Sequence, residues 1–243
     1  MRSDFPFYQG IPVEPTVRQW AFLLGLCLLA FLQLTFLGLF LAGPVSQLVP
    51  AVLFVLLPIA GLVGMSAGSL TALFRPLSLR AVLLIPGFAV LNLIVSVTVA
   101  LVVANVADVS ANPAVELIRA LTPLEFAAFL LRTLPQLVGE ELITILPLLA
   151  LMAYFVQGRG WTARSAIIAA WILTALLFGI LHLPTYQWNV AQSIFIIGAA
   201  RLVLTAAYLV TGNLWVCTGA HIASDWIIFF IAYLVPEIDM QSL

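Results

Sequence analysis

The chain has 243 residues, of which 64% are hydrophobic and 8% are charged, and its formal net charge is -1. Soluble domains carry about 25% charged residues, so this composition excludes an ordinary soluble domain, and a mean hydropathy of +1.20 indicates a chain that lies almost entirely in a membrane. The nine basic residues are all arginine and form no cluster. This distribution argues against a nucleic-acid partner.

Long apolar runs predict seven membrane-spanning helices, because a span needs about 20 apolar residues and lipid offers no partner to unpaired backbone groups. We therefore expect an all-α fold, a helix bundle forming a single integral membrane domain over residues 1–243. Gly43-Pro44 and Gly212-Asn213 mark two of the breaks between spans. The predicted spans are 19–42, 47–66, 81–106, 137–157, 164–183, 189–211 and 213–235.

Residues 122–135 are ambiguous between an interfacial helix and an eighth span. Thr122 is the predicted N-cap, Pro123 the first helical residue, and Glu125 falls in the first turn. Glu125 and Arg132 make this short segment amphipathic, so we expect a helix that lies at the membrane interface and leads into the fourth span.

The placement of arginine favours seven spans over eight. Seven spans put six arginines on one side of the membrane, which the positive-inside rule makes the cytoplasmic side together with the N-terminus. An eighth span would move Arg159 and Arg164 to the other side of the membrane and remove this asymmetry. We expect the protein to lie in the cell membrane of a bacterium or an archaeon. The first side carries Arg2, Arg18, Arg75, Arg80, Arg159 and Arg164, and the second carries Arg119, Arg132, Asp108, Glu116, Glu237 and Asp239.

Both histidines and the adjacent acidic pair of this chain lie inside apolar segments. An ionisable side chain at the bilayer centre costs between ~3 and ~15 kcal/mol unless it meets a partner or water. Glu140-Glu141, His182 and His221 belong to three different predicted spans. They can offset this cost by meeting one another, which predicts a shared polar pocket.

The acidic pair leaves two interpretations open. Adjacent helical residues point about 100° apart, so at most one of Glu140 and Glu141 can aim at a given partner. A cation one turn after Glu141 could pair with it, but that position holds Ile145, which makes Arg132 and Arg201 the candidate partners. Alternatively, both glutamates extend to the membrane interface.

The two histidines also have structural alternatives. His182 follows Phe178 by four residues, and Gly179 beside it allows a neighbouring helix to approach closely. By itself His182 could be an interhelical hydrogen-bonding residue. His221 and Asp225 are four apart and share one helix face, so the carboxylate could hold the imidazole in one tautomer or both could bind a metal. Alternatively, His221 and Asp225 are a structural pair that satisfy only each other.

Taken in order, these motifs resemble the signature of the CAAX prenyl-protease and bacteriocin-processing family, also called Abi. That signature is Glu-Glu-x-x-x-Arg, then Phe-x-x-x-His, then His-x-x-x-Asn/Asp on successive membrane helices. The chain matches it with Glu140-Glu141, with Phe178 to His182, and with His221 to Asp225. The similarity covers roughly 137–235, the expected catalytic core, and departs from the signature where Ile145 replaces the family's arginine.

The resemblance implies hydrolysis of a peptide bond within the membrane. Glu140 and His182 would activate a water, and the third motif would assist, with His221 stabilising the developing oxyanion and Asp225 orienting His221 or ligating a metal. The expected catalytic residues are Glu140, Glu141, His182, His221 and Asp225. A zinc ion held by Glu140, His182 and His221 is one possible cofactor, and a glutamate-type protease without metal is the other.

Two further functions compete with proteolysis. Acid–histidine chains inside membranes also act as proton relays in transporters, and loss of the family's arginine would be compatible with an inactive membrane scaffold. No inverted repeat is evident in the sequence, which weakens transport relative to hydrolysis. The expected partners of a peptidase are a membrane-associated peptide or protein and the lipid bilayer.

Overall fold

The computed structural model describes residues 5–9, 12–41, 46–65 and 69–235. Within these ranges the chain is helical and contains no β-strand, which confirms the all-α fold. The helices are α1 (Val17–Phe40), α2 (Leu48–Met65), α3 (Ser69–Leu73), α4 (Leu79–Ala104), α5 (Pro113–Ile118), α6 (Pro123–Ala153), α7 (Ala163–Leu181), α8 (Gly198–Thr211) and α9 (Leu214–Leu234), with π-helical turns at Tyr154–Gly158 and Gln192–Ile197.

Seven of the described helices are long and apolar enough to cross a membrane, as predicted. The protein is therefore an integral membrane protein. Six of the seven agree with the predicted bounds to within three residues. Cys27 and Cys217 are free and buried. The predicted break at Gly43-Pro44 lies outside the described residues, and so do Arg2, Glu237 and Asp239.

The fourth span corrects the prediction for residues 122–135. Thr122 caps the helix as predicted, in a reciprocal capping box with Glu125. However, the helix continues without a break from Pro123 to Ala153, so the segment is the first part of a long span and not a separate interfacial helix. Pro135 lies inside this helix, because a proline is tolerated within a membrane helix when its surroundings satisfy the freed carbonyl.

The turn between α8 and α9 follows the predicted Gly212-Asn213 break. Gly212 has a φ of 62°, the left-handed conformation that glycine adopts without strain, and ends α8. The side chain of Asn213 then accepts a hydrogen bond from the backbone amide of Trp215 and begins α9. The last two spans are thus antiparallel and joined by a minimal turn.

Hydrogen bonds between connecting segments define two ends of the bundle. At the end where α1 begins, called the N-terminal end, Gln157 Nε2 donates to Tyr8 O at 3.1 Å and Asn213 Nδ2 to Arg75 O at 2.9 Å. At the other end, called the opposite end, Asn189 Nδ2 donates to the carbonyl of Asp108 at 2.6 Å. The helices α4, α7 and α9 all end there, and α6 begins there.

Helix α6 lies at the centre of the bundle and packs against α1, α2, α7 and α9. In its most apolar stretch 67% of the residues are buried, against 17% in α1 and α4, whose apolar side chains face outward. Two glycines allow close contacts around it. A Cβ at Gly139 would lie 2.3 Å from the Phe54 ring of α2, and one at Gly179 would lie 2.5 Å from Ser193 O. The second contact confirms the close approach predicted at Gly179.

Candidate active site

Four of the five predicted catalytic side chains line one cavity of about 480 Å³. Glu140 comes from α6, His182 follows the last residue of α7, and His221 and Asp225 share α9. The fifth, Glu141, is fully buried behind the cavity. The structure therefore brings the three sequence motifs together at a single site.

The early start of α6 explains how these side chains meet. At about 1.5 Å per residue, Glu140 lies roughly 26 Å along α6 from Pro123, and His221 lies roughly 11 Å along the antiparallel α9 from Leu214. Had α6 begun near residue 137, Glu140 would have been close to the opposite end of the bundle. Its depth places it instead in the middle, level with His221.

A buried ion pair joins α6 to α8 beneath the cavity. Arg201 Nη2 donates to Glu141 Oε1 at 2.6 Å and to Oε2 at 2.8 Å, and both side chains are fully buried. The Arg201 guanidinium also lies over the Phe178 ring, 4.9 Å from its centroid. Of the two arginines predicted as partners of Glu141, Arg201 is the one in contact. Arg201 on α8 thus supplies the cation that the family signature places on α6, where this chain has Ile145.

Glu141 also orients His221. Nδ1 of His221 donates to Glu141 Oε1 at 2.8 Å, because a carboxylate that pairs with arginine only accepts. Nε2 is left facing the cavity, 3.6 Å from Asp225 Oδ2 and 3.9 Å from Glu140 Oε2. The orienting carboxylate is therefore Glu141 from α6, and Asp225 lies on the Nε2 side.

His182 is held by its own helix. Its Nδ1 donates to Phe178 O at 2.8 Å, since a carbonyl can only accept, and the two rings pack with centroids 4.4 Å apart. Nε2 remains for a ligand or a water. His182 interacts electrostatically with both Glu140 and His221. The Phe-x-x-x-His motif thus supplies a ring contact and a hydrogen bond that fix one imidazole.

Sequence reasoning missed three polar side chains of the site. Gln136 Nε2 donates to Glu140 Oε1 at 3.1 Å, and its position one helical turn before Glu140 was the available signal. Asn92 of α4 donates to Ser224 Oγ at 3.1 Å, which braces α9 beside His221. Tyr186 lines the cavity from the connection after α7, and burial raises the pKa of its hydroxyl, which therefore keeps its proton.

A comparison with protein-family models finds one similar family, the one that the sequence motifs resemble. The model described as type II CAAX prenyl endopeptidase Rce1-like matches residues 122–227, which contain every side chain of the Glu141–Arg201–His221 network. Residues 122–227, fewer than half of the 243 residues, are similar to this family. Comparisons with curated proteins and with solved structures find no match. The family is that of the sequence resemblance, and its members are membrane endopeptidases.

The matched segment begins at the N-cap of α6 and ends within α9. It therefore includes α6, α7, α8 and the first two thirds of α9, the helices that carry the site, and omits α1, α2 and α4. Of these three helices, α2 supplies the contact of Phe54 with Gly139, and α4 supplies the contact of Asn92 with Ser224. They complete the packing around a site whose reacting groups all lie within the matched segment.

The described residues contain no cluster of ligands that supports the predicted zinc site. Among the residues that the structure describes, no three His, Cys, Asp or Glu side chains form a group that could hold a metal ion. Glu141 already binds Nδ1 of His221, and Phe178 O binds Nδ1 of His182. A zinc ion on Glu140, His182 and His221 stays a prediction from the sequence.

Proposed function

We propose that the protein is an intramembrane endopeptidase that hydrolyses a peptide bond of a membrane-associated substrate with a water activated by Glu140. The observation that carries the proposal is the position of this carboxylate. Glu140 faces the cavity with one oxygen held by Gln136 and the other 3.9 Å from His221 Nε2. A positioned carboxylate beside an imidazole can take a proton from water as that water attacks.

In the proposed reaction, the water oxygen bonds to the scissile carbonyl carbon while Glu140 takes one proton. Nε2 of His182 holds the water in line for attack. Nε2 of His221, when protonated, donates to the oxyanion, and Asp225 beside it balances the positive charge. The carbon–nitrogen bond then breaks, and the proton passes from Glu140 to the leaving amine.

The buried pair of Glu141 and Arg201 holds this geometry without touching the substrate. Glu141 binds Nδ1 of His221 and so directs Nε2 into the cavity. Arg201 neutralises Glu141, so the pair adds no net charge behind the site. This arrangement supports an active enzyme over the scaffold alternative, which rested on the missing arginine at Ile145.

The proposal is tested with the purified protein and a quenched fluorescent peptide that carries an S-prenylated cysteine followed by three residues. We expect cleavage in detergent and no proton or solute flux when the protein is in liposomes. A matching peptide without the prenyl group tests whether the prenyl group is recognised. Flux without cleavage of either peptide would support the transport alternative and contradict the proposal.

A chelator arm of the same assay tests the zinc prediction. Phenanthroline should leave cleavage unchanged if protein groups alone activate the water. A loss that zinc restores would instead support a metal on Glu140, His182 and His221.

We also propose that the cavity opens to the outer side of the membrane. The positive-inside rule puts the N-terminal end of the bundle in the cytoplasm, and the cavity reaches the opposite end through residues 109–119. Among the described residues, the N-terminal end carries Arg18, Arg75, Arg80, Arg159, Arg164 and Glu14, and the opposite end carries Arg119, Arg132, Asp108, Glu116 and Glu125.

Cysteine labelling checks this orientation. In a background without Cys27 and Cys217, a Val106→Cys variant at the opposite end should react with an impermeant maleimide on intact cells. A Trp161→Cys variant at the N-terminal end should react only after permeabilisation. Val106 and Trp161 are 83% and 44% exposed, so access is limited by the membrane and not by packing. The reverse pattern would place the cavity mouth in the cytoplasm.

A further inference from the structure

Tyr186 lines the cavity but has no role in the proposed reaction. It belongs to the connection after α7 and is only 6% exposed. Its hydroxyl interacts electrostatically with Asp225 and with Glu140, and neither carboxylate accepts a hydrogen bond from it. The phenol is therefore close to the reacting groups, and its O–H remains able to donate to a ligand.

The backbone after Tyr186 adopts a conformation that holds this side chain inside the bundle. Gln187 and Trp188 have φ values of 54° and 64°, in the left-handed region that residues other than glycine rarely adopt. The cost is about 1–3 kcal/mol for each residue, and backbone strain of this kind clusters at active sites. Trp188 N closes the turn by donating to the carbonyl of Leu183 at 2.7 Å. The turn buries Tyr186 and leaves Trp188 exposed, which favours a functional role for the buried side chain.

The oxyanion of the proposed reaction lies beside a group that opposes it. Nε2 of His221 is the donor assigned to the oxyanion, and Asp225 Oδ2 lies 3.6 Å from the same nitrogen. An ionised carboxylate only accepts hydrogen bonds, so Asp225 competes for the proton on Nε2 and repels the developing negative charge. A second donor aimed at the oxyanion would offset this repulsion.

The Tyr186 hydroxyl has the protonation state that such a donor needs. Burial raises its pKa, and the negative charges of Asp225 and Glu140 raise it further. The hydroxyl therefore keeps its proton at neutral pH and brings no charge of its own into the cavity.

We propose that Tyr186 is a further catalytic residue whose hydroxyl donates a hydrogen bond to the oxyanion of the tetrahedral intermediate. This role rests on the proposed peptidase function. As the water oxygen bonds to the scissile carbonyl carbon, the carbonyl oxygen gains negative charge and accepts hydrogen bonds from His221 Nε2 and from the Tyr186 hydroxyl. No proton leaves Tyr186, and both hydrogen bonds weaken when the carbon–nitrogen bond breaks and the carbonyl forms again.

Removal of the hydroxyl alone tests this role in catalysis. Tyr186→Phe keeps the ring and should lower kcat for the prenylated peptide by about 10²- to 10³-fold, the usual effect of losing one oxyanion donor. KM should change little, because the hydrogen bond strengthens only in the transition state. Tyr154→Phe is the matched control: Tyr154 is 56% exposed at the N-terminal end of the bundle, so its loss of a hydroxyl should leave kcat unchanged. Both variants should keep the unfolding temperature of the unchanged protein.

Binding of a tetrahedral analogue separates this role from the peptidase function. The probes are the prenylated peptide and the same peptide with an anionic phosphinate in place of the scissile amide. Both are measured by fluorescence anisotropy on the Glu140→Gln protein, which should leave the amide peptide intact. Adding Tyr186→Phe should weaken binding of the phosphinate by about 10- to 100-fold, the range of a hydrogen bond to a charged group. Binding of the amide peptide should stay the same.

The other outcomes of these two measurements each decide the matter. An unchanged kcat in Tyr186→Phe would overturn the proposal, and so would an unchanged affinity for the phosphinate. Equal losses of affinity for both peptides would make Tyr186 a substrate-binding residue and would also overturn it. A loss confined to the phosphinate, in a protein that cleaves no peptide, would support the anion donor and contradict the peptidase function alone.

Discussion

Glu140→Gln is expected to lower kcat for peptide cleavage by about 10²- to 10⁴-fold, the usual contribution of a general base. The amide cannot take a proton from water, but its oxygen can still accept the hydrogen bond from Gln136 Nε2. The variant should therefore keep its fold and its affinity for the substrate. Single-turnover cleavage in detergent, with thermal unfolding as the measure of stability, checks both expectations.

Glu14→Gln is the matched control for this change. Glu14 is exposed near the N-terminal end of the bundle, so the same loss of charge far from the cavity should leave cleavage intact. His182→Ala and His221→Ala should each abolish cleavage, because they remove the groups assigned to the water and to the oxyanion. Full activity of Glu140→Gln would contradict the proposed peptidase function, whatever activity the histidine variants have.

Arg201→Ile is expected to destabilise the protein by about 3–5 kcal/mol, because it leaves the buried Glu141 carboxylate without its cation. It should also lower cleavage, since a Glu141 that loses its partner no longer holds Nδ1 of His221 at a fixed angle. We expect the Arg201→Ile variant to have a lower unfolding temperature and a lower kcat. Both are measured on the same detergent-solubilised protein.

The exchange of Ile145 and Arg201 tests whether the pairing itself is what matters. Ile145 is fully buried one turn after Glu141 on α6, so an arginine there could approach the same carboxylate. The double variant Ile145→Arg with Arg201→Ile should recover part of the stability and activity that Arg201→Ile loses. Ile145→Arg alone should be harmful, because it buries a second cation against one carboxylate. An exchange variant no better than Arg201→Ile would show that Glu141 needs its cation on α8.

The membrane fold was largely predictable because lipid imposes simple constraints on a chain. A span must be apolar and long enough to cross, and its backbone must be helical, so the number of spans and six of their seven positions follow from composition. The N-cap at Thr122 and the break at Gly212-Asn213 were predictable too, because short-range hydrogen bonds between neighbouring residues form both. The prediction failed at 122–135, where the shortness of the segment and the charges of Glu125 and Arg132 suggested a helix at the membrane interface. The packing of α6 against α1, α2, α7 and α9 determines the position of this segment, whatever its local residue pattern suggests.

The candidate site residues could be named from the order of their motifs along the chain, but their contacts could not. The residue pattern was enough to predict an all-helical membrane bundle and the ionisable residues inside it, because such residues are costly in lipid and are therefore rare there. The packing of the helices was needed to show that Arg201 pairs with Glu141, that Glu141 and not Asp225 binds Nδ1 of His221, and that Arg132 lines the cavity. These pairings join helices 60 to 80 residues apart. They depend on helix rotation and depth, which local sequence patterns do not encode.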